Sequence, residues 1–594
     1  MLSKKATYRL DIDGLRAIAV SAVILFHLGF MPNGYLGVDV FFVISGYLIT
    51  KIIFKESKEN RFSIKEFYLR RIRRIIPLVL FSTITALIVG IIVMLPDDLE
   101  NLAQSVFATN FFSNNILLLI TTGDYWDLVN DYKPLMHTWS LGVEEQFYLF
   151  YPLIFILFKG NLKKYILPFL VLSTILSFFF YLTSNEANRF YLVHTRFFEL
   201  SLGGIGAITM PNGKMFDKIK FFCLILLIVI LSADLSVLPS IKIVLVCFSS
   251  LGILVFTDNR SQHLKFVLTN KLIVWIGKIS FSLYMWHQIV LSYARYFVLV
   301  KMNYLDVFYI TLLILILSTF SYYYIEQIFR NKDLIRNRTV IYICTVLFTF
   351  STILSLYIYA KGGILRDVPE LDIYKKETNI FNLSLNIKEN PHIKYNSRIY
   401  SLDKKFTSKK IKILIIGNSF ARDWANVLIE SVYNKFIEIS YTEKMEFTPY
   451  FKDKANNANY IFFSELDFDD YLILKNKYKL NSSIIWNIGT KNFGSNNGFF
   501  YNNKLNNKDY CFQRVLMEDE YYHKNNLLKK QWGPRYIDLV SMIMDAKGTL
   551  PVFTSNCKFI SQDCRHLTQN GAKFFAEIIS KDENFILKKV ILSK

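Results

Sequence analysis

Eleven apolar runs, most of them long enough to cross a bilayer, leave this chain few ways to fold. They lie at roughly 10–30, 36–54, 75–95, 143–158, 163–183, 195–210, 219–236, 238–257, 272–294, 304–326 and 339–360. A run that leaves water must pair its backbone N–H and C=O groups internally, so each is predicted to be a helix. Lys and Arg collect in alternate loops. Nine fall between Lys51 and Arg74, and more lie at Lys159–Lys164, Lys214–Lys220, Arg260–Lys271 and Arg330–Arg338. The intervening stretches MPNGYLGVD and PDDLENLAQ have none. Basic loops stay on the cytoplasmic side, which places the N-terminus inside and everything after residue 360 outside. The formal net charge of +21 is then an orientation signal and not a nucleic-acid footprint. The first run has no small-residue cleavage site and a second follows almost at once, so it reads as a span and not as a cleavable signal. The segment 96–142 reads as an external loop whose own apolar stretch forms a helix packed on, or dipping into, the bundle.

After Gly362 and Gly363 the composition changes. Residues 364–410 are polar and weakly patterned, a linker with short ordered pieces. KIKILIIGNSFARDWANVLIESV then gives a buried strand, a sharp turn and an amphipathic helix. NYIFFSE, SSIIWNIGT and TLPVFTS read as further parallel strands, and the last helix begins near Leu567–Thr568. The expected organisation is a helical membrane domain over 1–335, a further span and linker over 336–410, and an extracytoplasmic α/β domain over 411–594. Cys511, Cys557 and Cys564 lie in the polar part. An odd number allows at most one bridge there: Cys557–Cys564 is expected for its position around Asp563 and His566, with Cys511 as the competing partner. No Cys/His cluster has metal-ligand spacing, so no metal is expected.

Within the membrane half, Arg16 and His27 share the first apolar run. Eleven residues separate them, close to three turns and about 16 Å along a helix, so they face one way at two depths. Ionisable groups inside a hydrocarbon layer are expensive to keep and point to function. His27 has the chemistry of a general base for acyl transfer to a hydroxyl, because its ordinary pKa lies near neutrality. Asp39 on the second run is placed to orient the imidazole or an acceptor. Arg196 and Glu199, three apart in one run, are expected to pair.

Arg16, ten residues and His27, followed by GVDVFFVISGY, resembles the opening of the acyltransferase-3 family of membrane O-acyltransferases. Arg70-Arg71-Ile-Arg73-Arg74 resembles that family's cytoplasmic Arg-x-x-Arg element. His137-Thr-Trp139-Ser140-Leu-Gly-Val-Glu144-Glu145-Gln-Phe-Tyr148 resembles its Trp-Ser-Leu-x-x-Glu-x-x-Phe-Tyr motif, and Ser282-Leu-Tyr284-Met-Trp286-His287 its late Ser-Leu-Tyr-x-Trp-His string. The resemblance implies that the chain moves an acyl group, most commonly acetyl, from cytoplasmic acyl-CoA to a sugar outside, such as lipopolysaccharide O-antigen. It makes His27 the base and couples Arg16 to the donor path. Guanidinium groups at Arg70, Arg71, Arg73 and Arg74 suit the phosphates of coenzyme A, although anionic lipid would satisfy them too. His137, Trp139, Ser140, Glu144 and Glu145, with Asp39 and Ser45, are read as acceptor-binding, Trp139 by stacking on a sugar ring. His287 reads as a structural hydrogen-bonder.

In the outer half, Gly417-Asn418-Ser419 follows a strand and opens a helix, where backbone N–H groups can stabilise an oxyanion. Asp563 and His566 can complete a Ser-His-Asp triad from a distant loop. The arrangement resembles an SGNH hydrolase, a known fusion partner of acyltransferase-3 bundles. Two departures stand out: Asn418 replaces the usual acid, and no oxyanion Gly is evident in ANNANYIFFSELDFDD. Asn492 is the better candidate for the oxyanion Asn and Asn487 the other. The competing readings are a transporter and a membrane-anchored glycan esterase.

Overall fold

A computed structural model describes the chain except residues 1–7, 123–127, 159–161, 210–213, 216, 235, 258–261, 299–301, 375–390, 446–449 and 589–594. The middle of the predicted 364–410 linker thus lies outside the described residues, as do parts of the basic loops near 160, 213 and 260. Two compact units form: residues 1–92 with 101–356, and residues 93–100 with 357–594.

The first unit is helical. Its site-bearing helices are α1 (Leu10–His27), α2 (Gly37–Lys58), α3 (Ile64–Val93), α4 (Thr138–Leu157), α5 (Val193–Thr209) and α6 (Ser280–Ala294). Each predicted run is helical over most of its length, that of 219–236 ending at Ser232 and that of 238–257 at Val255, but five helices among the described residues are long and apolar enough to cross a membrane. They are Gly34–Lys58, Ile64–Val93, Lys164–Thr183, Tyr304–Arg330 and Asn337–Ala360. The rest fall short for physical reasons. Asp11, Asp13 and Arg16 crowd the first two turns of α1, and α5 has 17 residues that include Arg196 and Glu199. The 272–294 run is broken at Ile279 into Lys271–Lys278 and α6. Large apolar side chains such as Leu172, Ile175 and Phe179 stand exposed, a surface suited to hydrocarbon.

The predicted helix within 96–142 is two, Pro96–Asn110 and Asn114–Thr122. Helix α4 starts at Thr138, earlier than the apolar run, so Trp139 and Ser140 fall in its first turn and are buried. The closest helix crossing is α2 on α5. A methyl at Gly46 would sit 1.8 Å from the Leu200 carbonyl oxygen, and one at Gly203 2.2 Å from that of Val43. Small residues at such crossings let backbones touch and keep dispersion contacts where no water drives association.

The second unit has a five-stranded parallel sheet. Its strands are β1 (Ile411–Ile416), β2 (Ile437–Thr442), β3 (Tyr460–Ser464), β4 (Ile485–Ile488) and β5 (Tyr536–Ile537), in the order β2-β1-β3-β4-β5. Strand β1 is apolar on both faces because both are covered. Ile413 and Ile415 join one core with Trp424 and Phe575, while Leu414 and Ile416 join another with Phe463 and Trp532. Helix α7 (Ser419–Glu430) follows β1, and the closing helix α8 (Gln569–Lys581) is capped by Thr568.

TLPVFTS departs from the expected parallel strand. Thr549–Pro551 pairs antiparallel with Arg514–Leu516 in a separate ribbon, as suits a strand whose Pro551 has no N–H to give a central ladder. The disulfide is also different: Cys511 bonds Cys557, with Cα atoms 4.9 Å apart. Cys564 is buried and turns inward, its thiol donating to Asn497 Oδ1 at 3.5 Å. The loop that was expected to need a 557–564 bridge is held by Asn497 instead, whose Nδ2 donates to the carbonyls of Ser561 (2.7 Å) and Gln562 (3.0 Å).

Candidate active site

Each unit holds a cluster of reactive side chains at the ends of its main elements. In the helical unit a cavity of about 140 Å³ is lined by Arg16, Arg71, Arg74, Ser45, Glu144 and Tyr284 among many apolar side chains. Ser45 donates to Glu144 Oε1 at 2.6 Å, and Arg71 lies over the Tyr148 ring. Not all the arginines of α3 take part. Arg70 pairs with Glu56 at 2.9 Å. Arg73 is buried, and its guanidinium donates to Asn337 Oδ1 and to the carbonyls of Asn331 and Ile335. Around the helix the four follow the order Arg73, Arg70, Arg74, Arg71, and the 74–71 end of that arc lines the cavity. Ser45, Ser140 and Glu144, expected with the acceptor, share the arginine-lined cavity instead, and Glu145 borders neither cavity.

A second, small cavity of about 10 Å³ is lined by His27, His137, Asp39, Arg196, Trp139 and Tyr284, with four further side chains. Arg196 donates to Asp39 Oδ1 at 2.9 Å and to Glu199 Oε1 at 3.0 Å, all three side chains buried. The expected Arg196–Glu199 pair is therefore a trio, and Asp39 answers to Arg196 and not to the His27 ring. Trp139 is no open sugar platform. Phe190 packs on it at 4.4 Å and Arg196 lies over its ring. The His27 ring lies 5.4 Å from that of His287, which is 5.3 Å from that of His137. His287 Nδ1 meets the Tyr284 carbonyl at 2.6 Å, while its Nε2 and both His137 nitrogens are buried with no partner among the described residues. Among those residues no group of His, Cys, Asp or Glu is arranged to hold a metal ion.

In the α/β unit Gly417 (φ +137°) turns the chain out of β1, and the Asn418 side chain caps α7 by accepting from Phe420 N at 3.0 Å. That cap gives Asn418 a local role where an acid is usual. Ser419 opens α7, and its Oγ lies 2.7 Å from His566 Nε2. His566 Nδ1 lies 2.7 Å from Asp563 Oδ2, and Asp563 Oδ1 accepts the backbone N–H groups of Arg565 and His566. With Nδ1–H directed at the carboxylate, Nε2 is left to take the Ser419 proton. Enclosure by the loop favours the neutral acid at Asp563, but His566 and the two N–H donors hold its pKa below the usual carboxylate range. Asn492 does not point to an oxyanion. Its Oδ1 accepts from Gly494 N and Glu518 N and its Nδ2 donates to Gly494 O, so it ties a buried turn. Asn487 likewise holds the Leu466 backbone.

The sequence model of a family described as an acyltransferase domain matches residues 9–359. The chain belongs to that acyltransferase family. A Staphylococcus aureus protein (strain MSSA476) provisionally named an O-acetyltransferase is 31% identical over 358 residues, covering 56% of this chain and 59% of its own length. The peptidoglycan O-acetyltransferase OatA of Listeria monocytogenes is 30% identical over 306 residues, 48% of this chain and 49% of its own. The O-acetyltransferase OatA of Staphylococcus aureus is 29% identical over 349 residues, with 55% and 58% covered. The chain spans about half to three fifths of the length of these curated relatives. No solved structure matches it.

The α/β unit of this acyltransferase family member contains two residues that the sequence analysis passed over. Asp423 follows Ser419 by one helical turn; its Oδ2 accepts Leu567 N at 2.8 Å and lies 3.0 Å from Lys491 Nζ. Lys491 is buried beside it, 3.6 Å from the centre of the Phe420 ring. This pair ties the serine helix to the backbone next to His566. Burial raises the Asp423 pKa, but Lys491, His566 and Arg422 bring it below the usual value. An Asp four residues after the serine, at helical spacing from Phe420 and Val427, was the available signal.

Depressed carboxylates give a pH prediction. A group whose folded pKa is lowered stabilises the fold above its unfolded value of about 4, and that contribution is lost as pH falls through the folded pKa. Protection of the β1–β4 amides in the full-length protein, the ratio of intrinsic to observed exchange rate, is therefore expected to fall below about pH 4, less steeply in Asp563→Asn. Equal acid sensitivity in the two proteins would remove Asp563 as a source.

Proposed function

We propose that this chain is a membrane O-acetyltransferase that takes acetyl from cytoplasmic acetyl-CoA and places it on a hydroxyl of a cell-envelope glycan. The observation that carries the reading is an arginine-lined cavity next to a histidine-lined one, with Val38 and Tyr284 bordering both. Arg16, Arg71 and Arg74 would hold the donor phosphates, and the apolar wall would take the pantetheine arm. At the other cavity His27 takes the acceptor hydroxyl proton as the new C–O bond forms and the thioester C–S bond breaks, coenzyme A leaving as the thiol. In the route through the α/β unit that acceptor hydroxyl is Ser419's: Ser419 then carries the acetyl as an ester, and a glycan hydroxyl, its proton taken by His566, attacks the ester carbonyl and releases the Ser419 hydroxyl. A peptidoglycan acceptor, as in the name of the Listeria relative, and a lipopolysaccharide O-antigen both belong to this class.

Incubating membranes with labelled acetyl-CoA and separating the glycans by class tests the reading. Label in one purified glycan is the expected result; no label in any glycan would sink it. The same reading places the chain in the cytoplasmic membrane with the α/β unit outside. Leu505 is 97% exposed on that unit. A Leu505→Cys protein should therefore react with a membrane-impermeant thiol reagent in intact cells stripped of any outer barrier. Reaction only after lysis would reverse the orientation.

A further inference from the structure

We propose that Tyr284 is the partition across which the acyl group passes, and that it sets acyl length and keeps water off the thioester. The inference rests on the acyl-transfer reading above and deepens it. Tyr284 and Val38 are the two side chains common to both cavities. On one side the Tyr284 ring meets Phe41, a wall residue of the arginine-lined cavity, with centroids 6.2 Å apart. On the other it packs against His137 and His287, each 5.3 Å away. Its hydroxyl is fixed twice, sharing a hydrogen bond of 2.6 Å with Ser140 Oγ and donating to the His137 carbonyl at 2.9 Å. One aromatic ring and one isopropyl group therefore close the way from Arg16 to His27.

A thioester carbonyl held from the arginine side meets His27 and the acceptor only if this ring moves. The latch explains why a phenol and not a phenylalanine suits the place: its two hydrogen bonds hold the closed position without filling either cavity. Closure has a chemical purpose. Water reaching the thioester would form a C–O bond to the carbonyl carbon and break the C–S bond, releasing acetate and coenzyme A thiol with nothing transferred. The opening left when the ring swings also limits which acyl group follows, since pockets distinguish chains by methylene count.

The full-length protein reconstituted in vesicles, offered acetyl-CoA or butyryl-CoA, tests this through two readouts: thiol released without acceptor, and label on glycan. In Tyr284→Ala, acceptor-independent thiol release should rise several-fold. The butyryl-to-acetyl transfer ratio should rise by about tenfold, the low end of what a methylene is worth in a fitted pocket. Tyr284→Phe, which loses only the latch, should raise thiol release while keeping the acetyl preference. Val38→Ala leaves every hydrogen bond of Tyr284 in place and should widen acyl choice alone, so the proposal stays open to refutation if Tyr284→Ala fails to fold. Wild-type coupling in Tyr284→Phe together with wild-type acyl preference in Val38→Ala would overturn it. A wild-type protein that labels no glycan would instead defeat the acyl-transfer reading, before any variant is compared.

Discussion

Replacing His27 by alanine is expected to reduce transfer of labelled acetyl to glycan by about 10²–10⁴-fold, the range that a positioned general base contributes. The helical unit should stay folded, because the structure does not use the His27 ring as a support. The ring touches Phe26 and His287, and Arg295 donates to the backbone carbonyl of His27, not to the ring, at 3.3 Å. His137 and His287 are different: both are buried, and alanine in their place opens a void among packed rings. A His27→Ala protein with unchanged helix content and wild-type acetylated glycan would remove His27 from the chemistry. Loss of transfer with loss of fold in His287→Ala alone would say nothing against it.

Ser419→Ala should lower glycan acetylation by about 10³-fold or more, as removal of a nucleophile from a triad does elsewhere. It should also abolish a label that the denatured wild-type chain retains. The second readout matters because only a covalent acyl-serine survives denaturation. Acceptor-independent thiol release, governed by the helical unit, should stay at its wild-type level in this variant. A denatured wild-type protein without label, or full glycan acetylation by Ser419→Ala, would leave the α/β unit as a holder of acceptor and restore direct transfer from the donor. Lys491→Met sharpens the test. Breaking a buried pair strands the Asp423 charge at a cost of about 3–5 kcal/mol, so the helix and the His566 loop should come apart and glycan acetylation should fall although no triad residue is replaced.

How much of this was legible in the sequence depended on whether a signal was local. The Arg16–His27 spacing, the turn from β1 into Ser419 and the Asp563–His566 pair are each set within a few turns of chain, and all lie where periodicity and turn chemistry put them. The arginines of α3 show the limit. Their spacing sets one arc around the helix, and only the packing of 331–337 on its Arg73 end says which arginine is spent on structure. Asn492 failed for a similar reason, since nothing nearby announced that Gly494 and Glu518 would take its amide. The cysteines failed because pairing is a matter of distance between loops: Cys557 meets Cys511 across 46 residues, while Cys564 turns to Asn497. The length of the apolar runs overstated their independence, since α5 is short for a span and keeps its charges by pairing them with α2.

That pairing bears on how the protein could work as a machine. Where α2 crosses α5 there is no space for even one methyl group on either backbone, and the Asp39–Arg196–Glu199 trio bolts the same two helices together. Neither sliding nor rotation of one against the other is possible without tearing a buried ionic joint. The two helices are therefore a fixed frame, the stator of any catalytic cycle. Any displacement of Tyr284 has then to come from its own helix, which the break at Ile279 separates from Lys271–Lys278.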